Sequence, residues 1–590
     1  MDEMKISHLS AAILEDYKYK DETSWNDVAN RIFGGGDLLP GMAERLKAGF
    51  MRDNVFATPN LTNLYAITDD KARGLPISCF IYKPGDNMQD IAFKHFEAKT
   101  LAYNGGGCSG NYDLIRELGS SITDKGESSG VVPVLVEADK MIACTGQGGT
   151  RRGILAAWLK VDNPEILEFI KIKDLHSGKM TRKTPDIFPG VILTKEFLHA
   201  KDNLLPYNLY SRHDGSVVAT LDAFDVWTQI MDSRHDTGTP FMAFEENMQK
   251  NCGAVYEAGI RAKVVRISET NVCTEIFVNV TPTSTGVCNL GSLNLSNWDD
   301  MEARIDEIIF DMAYFMDSVN DETLRLISNF ESETERMAYK NVVNFIENDG
   351  SIAIGVFGFH DYLQSKFIPF DSLAAKYINI KIFKTIRAAA DKANVRIAEL
   401  KGARSLPASL GLNHRFATML AIAPTGSISK VAKSKIGKQP TSPSIEPKTS
   451  NKYTEKRQQG SFPYMNPYLS KWMEEHLDEE EIRYVNDHLN LNDGSVQGIH
   501  EDIMSQEVKD VFKCAHEIDQ HVLIEHASDR QIHIDQGQSL NLFFHVNAAK
   551  HYINSVHTLA HQRDVKSLYY FKPVNGGNIS FKIRECANCT

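Results

Sequence analysis

The segment Asn271-Val272-Cys273-Thr274-Glu275 carries an amide, a thiol and a carboxylate at alternate positions. In an extended strand alternate side chains project from one face, so we expect Asn271, Cys273 and Glu275 to act together. Such a trio suits a sugar or another polyol. The amide binds one hydroxyl, the carboxylate accepts a proton from another, and the sulfur carries out the chemistry. A buried structural cysteine with two polar neighbours is the alternative, because reduced cysteine is commonly buried.

Composition narrows the class of protein. The chain has 590 residues, of which 42% are hydrophobic and 24% charged, with nine scattered cysteines and a net charge of −13. These proportions are ordinary for a soluble globular chain, and we find neither a membrane-spanning run nor a targeting segment. An odd number of unclustered cysteines predicts reduced thiols and a cytoplasmic protein. The acidic balance argues against a nucleic-acid surface but leaves single nucleotides as ligands.

Short apolar runs alternate with helical patterns from about residue 75 onward, which indicates a parallel α/β architecture. We divide the chain into an N-terminal helical region (1–57), a catalytic domain (58–570) with a helical insertion near 450–515, and a flexible tail (571–590). The predicted strands are 75–81, 131–136, 154–159, 191–194, 241–244, 532–536 and 539–544, and the predicted helices are 88–103, 164–171, 223–231, 301–316 and one ending near 561.

Two loops have the composition of phosphate-binding segments. The first, 147–153, offers backbone amides and the guanidinium groups of Arg151 and Arg152 to a phosphate or a base, or is an ordinary surface loop. The second, 425–429, follows an apolar strand and precedes a helix-like run, so its free amides and hydroxyls suit a phosphate; a plain helix cap is the alternative. The glycine run 105–110 follows a helix, so it does not predict a dinucleotide site.

Two cysteines and two tyrosines lie near the C-terminus. Cys586 and Cys589 have no second ligand pair at zinc spacing, and two close thiols on a mobile tail suit thiol-disulfide exchange. Tyr569 and Tyr570 alone would indicate only packing, because adjacent residues normally face different directions.

In their order along the chain these motifs resemble the large, catalytic subunit of ribonucleotide reductase, most closely the class I enzymes. The resemblance runs from about Thr58 to Tyr570 and implies a ten-stranded α/β barrel of two five-stranded parallel halves, with a central finger loop. The motifs are Ser78-Cys79, Asn271-x-Cys273-x-Glu275, Cys288-Asn289-Leu290, Pro424-Thr425-Gly426-Ser427, Ser444-Ile445-Glu446-Pro447, Asp535-Gln536-x-Gln538-Ser539-Leu540-Asn541, Leu568-Tyr569-Tyr570 and the terminal cysteine pair.

The resemblance also implies a mechanism for reducing ribonucleoside diphosphates. Cys273, as a transient thiyl radical, would remove the 3′ hydrogen, while Glu275 accepts the 3′-hydroxyl proton and Asn271 holds the sugar hydroxyls. Cys79 and Cys288 would reduce the 2′ position and form a disulfide.

Other proteins and ligands follow from the same resemblance. Cys586 and Cys589 would reduce the disulfide and be reduced by thioredoxin or glutaredoxin. The chain itself would hold no metal or cofactor, since a small partner subunit would supply the radical through Tyr569 and Tyr570.

Nucleotide sites carry over by position. Asp86, Arg116 and the loop with Gln147 and Arg151 match a specificity site for nucleoside triphosphate effectors at a homodimer contact. The family's additional N-terminal ATP cone has no counterpart in the first 57 residues. The positions that match substrate-binding residues are Thr58, Ser78, Thr425, Gly426, Ser427 and Ile428.

Two alternatives stay open from the sequence. A class II reductase would form its thiyl radical with adenosylcobalamin and need no second subunit, and the tyrosine pair favours class I over it. A catalytically silent nucleotide-binding regulator would be expected to have lost at least one of the five catalytic residues. All five are present, namely Cys79, Asn271, Cys273, Glu275 and Cys288.

Overall fold

The computed structural model describes residues 8–19, 21–35, 37–52, 54–57, 67–68, 71–72, 74–77, 79–123, 126–145, 153–176, 178–433, 435–436, 441–457, 460–575 and 578–579. The α-helices are His8–Tyr17, Trp25–Gly34, Met42–Met51, Met88–Tyr103, Val131–Ala143, Ile166–Phe169, Lys195–Asp202, Ala223–Thr237, Glu245–Met248, Gly253–Arg261, Trp298–Met301, Ile305–Ser328, Glu333–Asn348, Phe359–Ser365, Leu373–Lys401, Ser405–Ser409, Ile428–Val431, Pro467–His476, Glu479–Leu491, Gln506–Val511, Gln520–Gln531 and Lys550–Gln562. The strands are Val55–Ala57, Ile67–Thr68, Lys71–Ala72, Cys79–Tyr82, Gly107–Asn111, Ser121–Ile122, Gly126–Glu127, Leu155–Lys160, Ile187–Leu193, Pro206–Tyr210, Val217–Asp222, Phe241–Phe244, Glu269–Thr270, Phe277–Val278, Gly286–Cys288, Leu290–Asn294, Ala353–Phe357, Lys452–Arg457, Gly460–Met465, Leu542–His545, Ser567–Leu568, Phe571–Asn575 and Asn578–Ile579.

Five parallel strands form the first half of a barrel. Their residues are almost all buried, which is typical of a parallel sheet covered on both faces. Neighbouring strands are joined by helices such as Met88–Tyr103, as a parallel connection requires. In sheet order the strands of this first half-barrel are Cys79–Tyr82, Gly107–Asn111, Leu155–Lys160, Ile187–Leu193 and Phe241–Phe244.

The second half-barrel is also parallel but less regular. Residues 420–422 are joined to the neighbouring segment on each side by a single isolated bridge. One bridge runs from Ile354 to Leu420 and the other from Ile422 to Gln538. Its members, in order, are Leu290–Asn294, Ala353–Phe357, residues 420–422, residues 538–545 and Phe571–Asn575. The predicted start of the flexible tail at residue 571 is therefore wrong, because Phe571–Asn575 pairs in parallel with Leu542–His545.

Two short antiparallel strands close the barrel. Gly286–Cys288 pairs antiparallel with Cys79–Tyr82 and runs on into the second half, while Ser567–Leu568 pairs antiparallel with Phe241–Phe244 and runs on into Phe571–Asn575. The strands of the two halves therefore run in opposite directions and meet at two seams. The predicted ten-stranded α/β barrel is confirmed.

A hairpin carries the segment around Cys273. Its paired strands are only two residues each, Glu269–Thr270 and Phe277–Val278, so residues 271–276 form its tip. The Ser109 hydroxyl of the first half-barrel donates to the Thr270 carbonyl at 2.6 Å, and the Gly537 amide of the second donates to the Glu275 carbonyl at 2.7 Å. The tip, which we call the finger loop, thus lies between the two halves.

Two predicted strands are wrong. Residues 131–136 belong to the helix Val131–Ala143, whose buried positions recur with helical spacing, and the Val131 amide at its start donates to the Glu165 carboxylate at 2.7 Å. A short apolar run does not separate a buried strand from a buried helix. Residues 532–536 form turns, because the Asp535 carboxylate turns inward to accept the amides of Met419 and Leu420.

The regions outside the barrel pack against its second half. The N-terminal helices continue into Val55–Ala57, which pairs antiparallel with Leu290–Asn294, and Arg45 forms an ion pair with Asp311. Residues 450–515 contain the hairpin Lys452–Arg457 and Gly460–Met465 before their helices, and they enclose a small core of their own. No helix within the described ranges combines the length and apolar character needed to cross a membrane.

Candidate active site

The finger loop is a tight turn, so the extended alternation predicted for 271–275 is wrong. Asn271 folds back, and its side-chain oxygen accepts the amides of Glu275 and Ile276 at 3.1 and 3.0 Å. Thr274 has φ +64°, a left-handed conformation that a β-branched residue rarely adopts. Such strain persists only where the surroundings impose it, and it is common at functional sites.

Three hydrogen bonds from the second half and its seam impose this turn. The Gly537 amide binds the Glu275 carbonyl, the Ser567 hydroxyl donates to the Thr274 carbonyl at 2.7 Å, and the Ser539 hydroxyl donates to the Cys273 carbonyl. Gly537 has to be glycine, because a Cβ there would meet the Phe277 ring at 2.4 Å. Three consecutive loop carbonyls are thereby fixed by the barrel.

The Glu275 carboxyl is fully buried inside the barrel. Burial raises its pKa to about 7, although Asn271, its own backbone amide and Ser539 act in the opposite direction. One oxygen, Oε2, lies 3.1 Å from the Ser539 hydroxyl. Among the described residues neither the other oxygen, Oε1, nor the Asn271 Nδ2 has a partner at hydrogen-bond geometry. The site thus places a donor and an acceptor close together beside Cys273, with Asn271 near enough to the carboxyl to lower its pKa.

Cys79 and Cys288 are separated by 209 positions in sequence but are direct partners in the antiparallel pair at the first seam. Directly opposed residues project from the same face, with Cβ atoms about 4.5–5.5 Å apart. Ser109, which reaches the finger loop, pairs in register with Ile81, two residues from Cys79. Both cysteines therefore face the finger loop, and their backbone separation suits a disulfide.

The rings of Tyr569 and Tyr570 are in contact, with centroids 4.3 Å apart. Both side chains are buried, and both pack on Phe241 of the first half-barrel, at 4.6 and 5.1 Å. The expectation that adjacent tyrosines face different directions is wrong here, because the chain crosses from one half-barrel to the other at these two residues. Ser567, two positions earlier, anchors the finger loop, so the ring pair lies next to it along the chain.

The segment 425–428 follows the strand-like residues 420–422 at the carboxyl end of the second half-barrel. The Thr425 amide and hydroxyl both donate to the Pro443 carbonyl, at 3.1 and 2.6 Å. Gly426 and Ser427 precede Ile428–Val431, which is a helix of a single turn. The segment therefore has a fixed shape.

Asp86 and Arg116 come together although 30 residues separate them. The Arg116 amide and Nε donate to the two oxygens of the Asp86 carboxylate, at 2.9 and 2.8 Å, and both side chains are partly exposed. The remaining guanidinium contact is to the Ser121 carbonyl at 2.6 Å. A charged pair of this kind is accessible to a ligand at the surface.

Comparison with known proteins identifies the family. Residues 77–407 and 411–571 match the family model described as ribonucleotide reductase, barrel domain. The chain belongs to the ribonucleotide reductase family. A putative ribonucleoside-diphosphate reductase large subunit of Frog virus 3 is 30% identical over 96% of this chain and 97% of its own length. The large subunit of Invertebrate iridescent virus 3 is 31% identical over 85% of this chain and 83% of its own.

A solved structure supports the same assignment. The class Id ribonucleotide reductase alpha subunit of Actinobacillus ureae superposes with a TM-score of 0.80 at 26% identity, covering 96% of this chain and 97% of that one. The prediction of a class I-like catalytic subunit is confirmed, and the likeness favours class I over the class II alternative. It is also consistent with a radical supplied by a partner subunit.

Several residues expected from the ribonucleotide reductase resemblance lie outside the described residues. They are Thr58 and Ser78 of the substrate site, Gln147 and Arg151 of the specificity loop, and Cys586 and Cys589 of the tail.

Three serines that hold the finger loop and its base were not expected from the sequence. Ser109, Ser539 and Ser567 are all buried. Only Ser539 stood in a motif, Asp535-Gln536-x-Gln538-Ser539, which served as a marker of the reductase family without a role for the hydroxyl. Isolated serines give no sequence signal of a contact made across a barrel.

Proposed function

We propose that this chain reduces ribonucleoside diphosphates to 2′-deoxyribonucleoside diphosphates for DNA precursor synthesis, with Cys273 as the radical-bearing residue. The observation that carries the proposal is the finger loop itself. It presents a thiol together with the Glu275 Oε1 acceptor and the Asn271 Nδ2 donor, neither of which has a partner at hydrogen-bond geometry among the described residues. A ribose offers the hydroxyls that such a pair would bind.

The first step assigns one role to each loop residue. Cys273, as a thiyl radical, takes the 3′ hydrogen of the ribose, and Glu275 accepts the proton of the 3′ hydroxyl. A pKa of about 7 suits this exchange, because a carboxyl near neutrality both takes up and returns a proton at working pH. Asn271 holds the hydroxyls through Nδ2, since its oxygen is committed to the loop backbone.

The second step uses the cysteine pair at the first seam. The 2′ hydroxyl leaves as water, and Cys79 and Cys288 supply two electrons by forming a disulfide. Cys273 then returns a hydrogen to the 3′ position. Their direct opposition in the antiparallel pair supports the assignment, because the bond needs little backbone movement. Cys586 and Cys589 reduce this disulfide in turn and exchange with thioredoxin or glutaredoxin.

The radical arrives from a small radical-generating subunit and passes through Tyr569 and Tyr570. Contacting rings buried in the same core support a short transfer path. Any metal or other cofactor that generates the radical belongs to that partner.

Nucleotides bind this chain at two further places. The substrate binds with its phosphates against Thr425, Gly426, Ser427 and Ile428, and the fixed shape of the 425 segment supports this placement. Thr58 and Ser78 are assigned to the same substrate site by the family resemblance. Nucleoside triphosphate effectors bind at Asp86 and Arg116, with Gln147 and Arg151 passing on their identity to the substrate. The ion pair between Asp86 and Arg116 supports the assignment of both residues to one effector site. As the family resemblance implies, we place that site at a homodimer contact.

A single-turnover experiment tests the proposal. Pre-reduced chain carrying Cys586→Ser and Cys589→Ser, which cannot pass the disulfide on to the tail, is mixed with CDP and a class I radical-generating subunit, and the deoxynucleotide formed is compared with the Cys79–Cys288 disulfide found by peptide mass spectrometry. We expect one disulfide per dCDP. A product without that disulfide would contradict the cysteine assignment, and turnover with adenosylcobalamin and no partner would contradict class I.

A further inference from the structure

Ser539 connects the two reacting groups of the finger loop. Its hydroxyl oxygen is within hydrogen-bond distance of the Cys273 carbonyl and lies 3.1 Å from Glu275 Oε2. The side chain is buried, and its amide is held by the Ile422 carbonyl at 2.9 Å. The oxygen is therefore fixed in place between a backbone carbonyl and a carboxyl group.

A serine hydroxyl has one hydrogen to donate and can also accept. Toward an ionised Glu275 it has to donate to Oε2, because two oxygens without a hydrogen between them repel each other. Toward a neutral Glu275 with its proton on Oε2, the acid donates to the serine, and the serine hydrogen is released to the Cys273 carbonyl. Rotation of one O–H bond therefore switches the serine hydrogen between the two acceptors, and when it goes to Oε2 the Cys273 carbonyl is left without a hydrogen bond from the serine and is repelled by the serine oxygen.

We infer that Ser539 is a positioning residue for the reaction. The protonation state of Glu275 determines where the single hydroxyl hydrogen of Ser539 points, and that direction determines whether the backbone carbonyl of the radical-bearing Cys273 receives a hydrogen bond. This inference rests on the proposed function of the finger loop. When Glu275 is the base, the serine holds Oε2 and leaves Oε1 for the substrate. No covalent bond to carbon or sulfur changes in this step, and only a hydrogen bond is redirected.

Other ionisable groups around the loop do not substitute for Ser539. The charged groups on the packed segments have partners of their own: Asp535 has Arg387 and two backbone amides, and Lys566 has the carbonyls of Asn251 and Asp535. Glu269 of the hairpin pairs with Lys83, Arg530 donates to Gln538, and Glu446 accepts the Asn541 amide. The uncharged ionisable side chains there are the loop thiol, Cys79, Cys288, Tyr569 and Tyr570. The groups that act on the Glu275 carboxyl are Asn271, its own amide and Ser539.

The chain offers a matched control. Ser567 is equally buried, and its hydroxyl donates to the next loop carbonyl, that of Thr274, at 2.7 Å. Among the described residues its hydroxyl is hydrogen-bonded to that carbonyl and not to the Glu275 carboxyl. Ser539→Ala and Ser567→Ala each remove one anchor of the loop, so a difference between them isolates the contact with Glu275.

The pH profile of CDP reduction is the first measurement. We expect Ser539→Ala to move the acidic limb of kcat upward by about one to two pH units, since a hydrogen bond to a charged group favours the ionised form by that amount. Activity should recover at high pH, with KM within about twofold of the original chain. Ser539→Thr, which keeps the hydroxyl, should restore the original limb. Ser567→Ala should lower kcat without moving the limb.

The second measurement needs no radical partner. Infrared difference spectra of the isolated chain against Glu275→Gln report the carboxyl of Glu275 directly, and their pH titration should shift upward in Ser539→Ala and stay in place in Ser567→Ala. An unchanged titration, or an equal shift in both variants, would overturn the role of Ser539. A shifted titration in a chain that makes no deoxynucleotide with any partner would instead overturn the proposed function.

Discussion

Glu275 and Asp317 are both fully buried carboxyl groups, and their environments have opposite effects. Burial raises the pKa of each, but around Asp317 the cations of Arg404, Arg415 and Lys401 outweigh burial and hold its pKa below the ordinary value. Arg404 and Arg415 donate to its Oδ1 at 2.9 Å, and Lys401 lies 2.6 Å from Oδ2. Glu275 has no such cation among the described residues, and its pKa rises to about 7. Partners, and not burial, separate a structural carboxylate from a reactive one.

The largest expected effect is at the finger loop thiol. Cys273→Ser should reduce deoxynucleotide formation to background, because an alkoxyl radical is not a workable replacement for the thiyl radical, while substrate binding remains. CDP reduction and equilibrium nucleotide binding measure the two properties. Cys252→Ser is the matched control, since Cys252 is equally buried but lies outside the loop and donates to the Gln249 carbonyl. Similar losses in both variants would mean that Cys273 is only a packed residue.

Two buried tyrosine pairs differ in the same way as the two carboxyl groups, because only one of them lies beside the finger loop. Tyr569→Phe and Tyr570→Phe should each stop CDP reduction with a class I partner and leave folding nearly intact, because phenylalanine keeps the ring but removes the O–H needed by a proton-coupled relay.

A second buried tyrosine pair is the control for that relay. The Tyr82 and Tyr112 hydroxyls lie 2.6 Å apart on the opposite face of the first half-barrel from Cys79. Tyr112→Phe should cost about 1 kcal/mol of stability and keep activity. Equal activity in all three variants would mean that Tyr569 and Tyr570 only pack in the core and do not carry the radical.

Glu275 and Asp317 are each tested by replacing the carboxyl group with the corresponding amide. Glu275→Gln should lower kcat by about 10²–10⁴-fold, as expected for the loss of an acid–base group, with no loss of unfolding free energy. Asp317→Asn should do the reverse and cost about 3 kcal/mol of stability, the low end for a broken buried ion pair, because the three cations lose their buried anion and keep only the more exposed Asp321. Denaturant unfolding and CDP reduction on the same samples separate the two. A stability loss in Glu275→Gln as large as that in Asp317→Asn would break the distinction.

The smallest expected effect is on the pH dependence of stability. Because the folded-state pKa of Glu275 is raised from 4.5 to about 7, the folded chain binds more protons in that range, and its stability should fall by about 3 kcal/mol as pH rises through it. Asp317 has a lowered pKa, so its contribution is present above its ordinary pKa and is lost at lower pH. Denaturation midpoints against pH should therefore flatten near neutrality in Glu275→Gln and on the acidic side in Asp317→Asn.

The sequence predicted the barrel and the loop chemistry but not the local geometry. Helix 88–103 and strand 241–244 were predicted at the observed bounds, because their caps and apolar lengths are local signals. The helix at 131–143 was missed, since its first residues are uniformly apolar and its start depends on Glu165, far along the chain. The turn at Thr274 was missed for a similar reason, because Ser539, Gly537 and Ser567 impose it from other elements.

The site was predictable wherever one residue type sufficed for the chemistry. The residue types of Asn271, Cys273 and Glu275 predict a thiol between a donor and an acceptor. The finger loop keeps these three groups together, although its backbone is a turn and not an extended strand. The pairing of Cys79 with Cys288 needed the register of a seam between half-barrels, which no short pattern contains.

That register makes catalysis a change of chain topology. Each turnover that joins Cys79 to Cys288 would close a covalent ring of about 200 residues through most of the first half-barrel, and a ring of that length restricts the unfolded chain by about 5 kcal/mol in the loop-entropy model. The spent enzyme would then resist heat better than the enzyme that is ready to react. Melting temperature would become a direct reading of how much of the population awaits reduction.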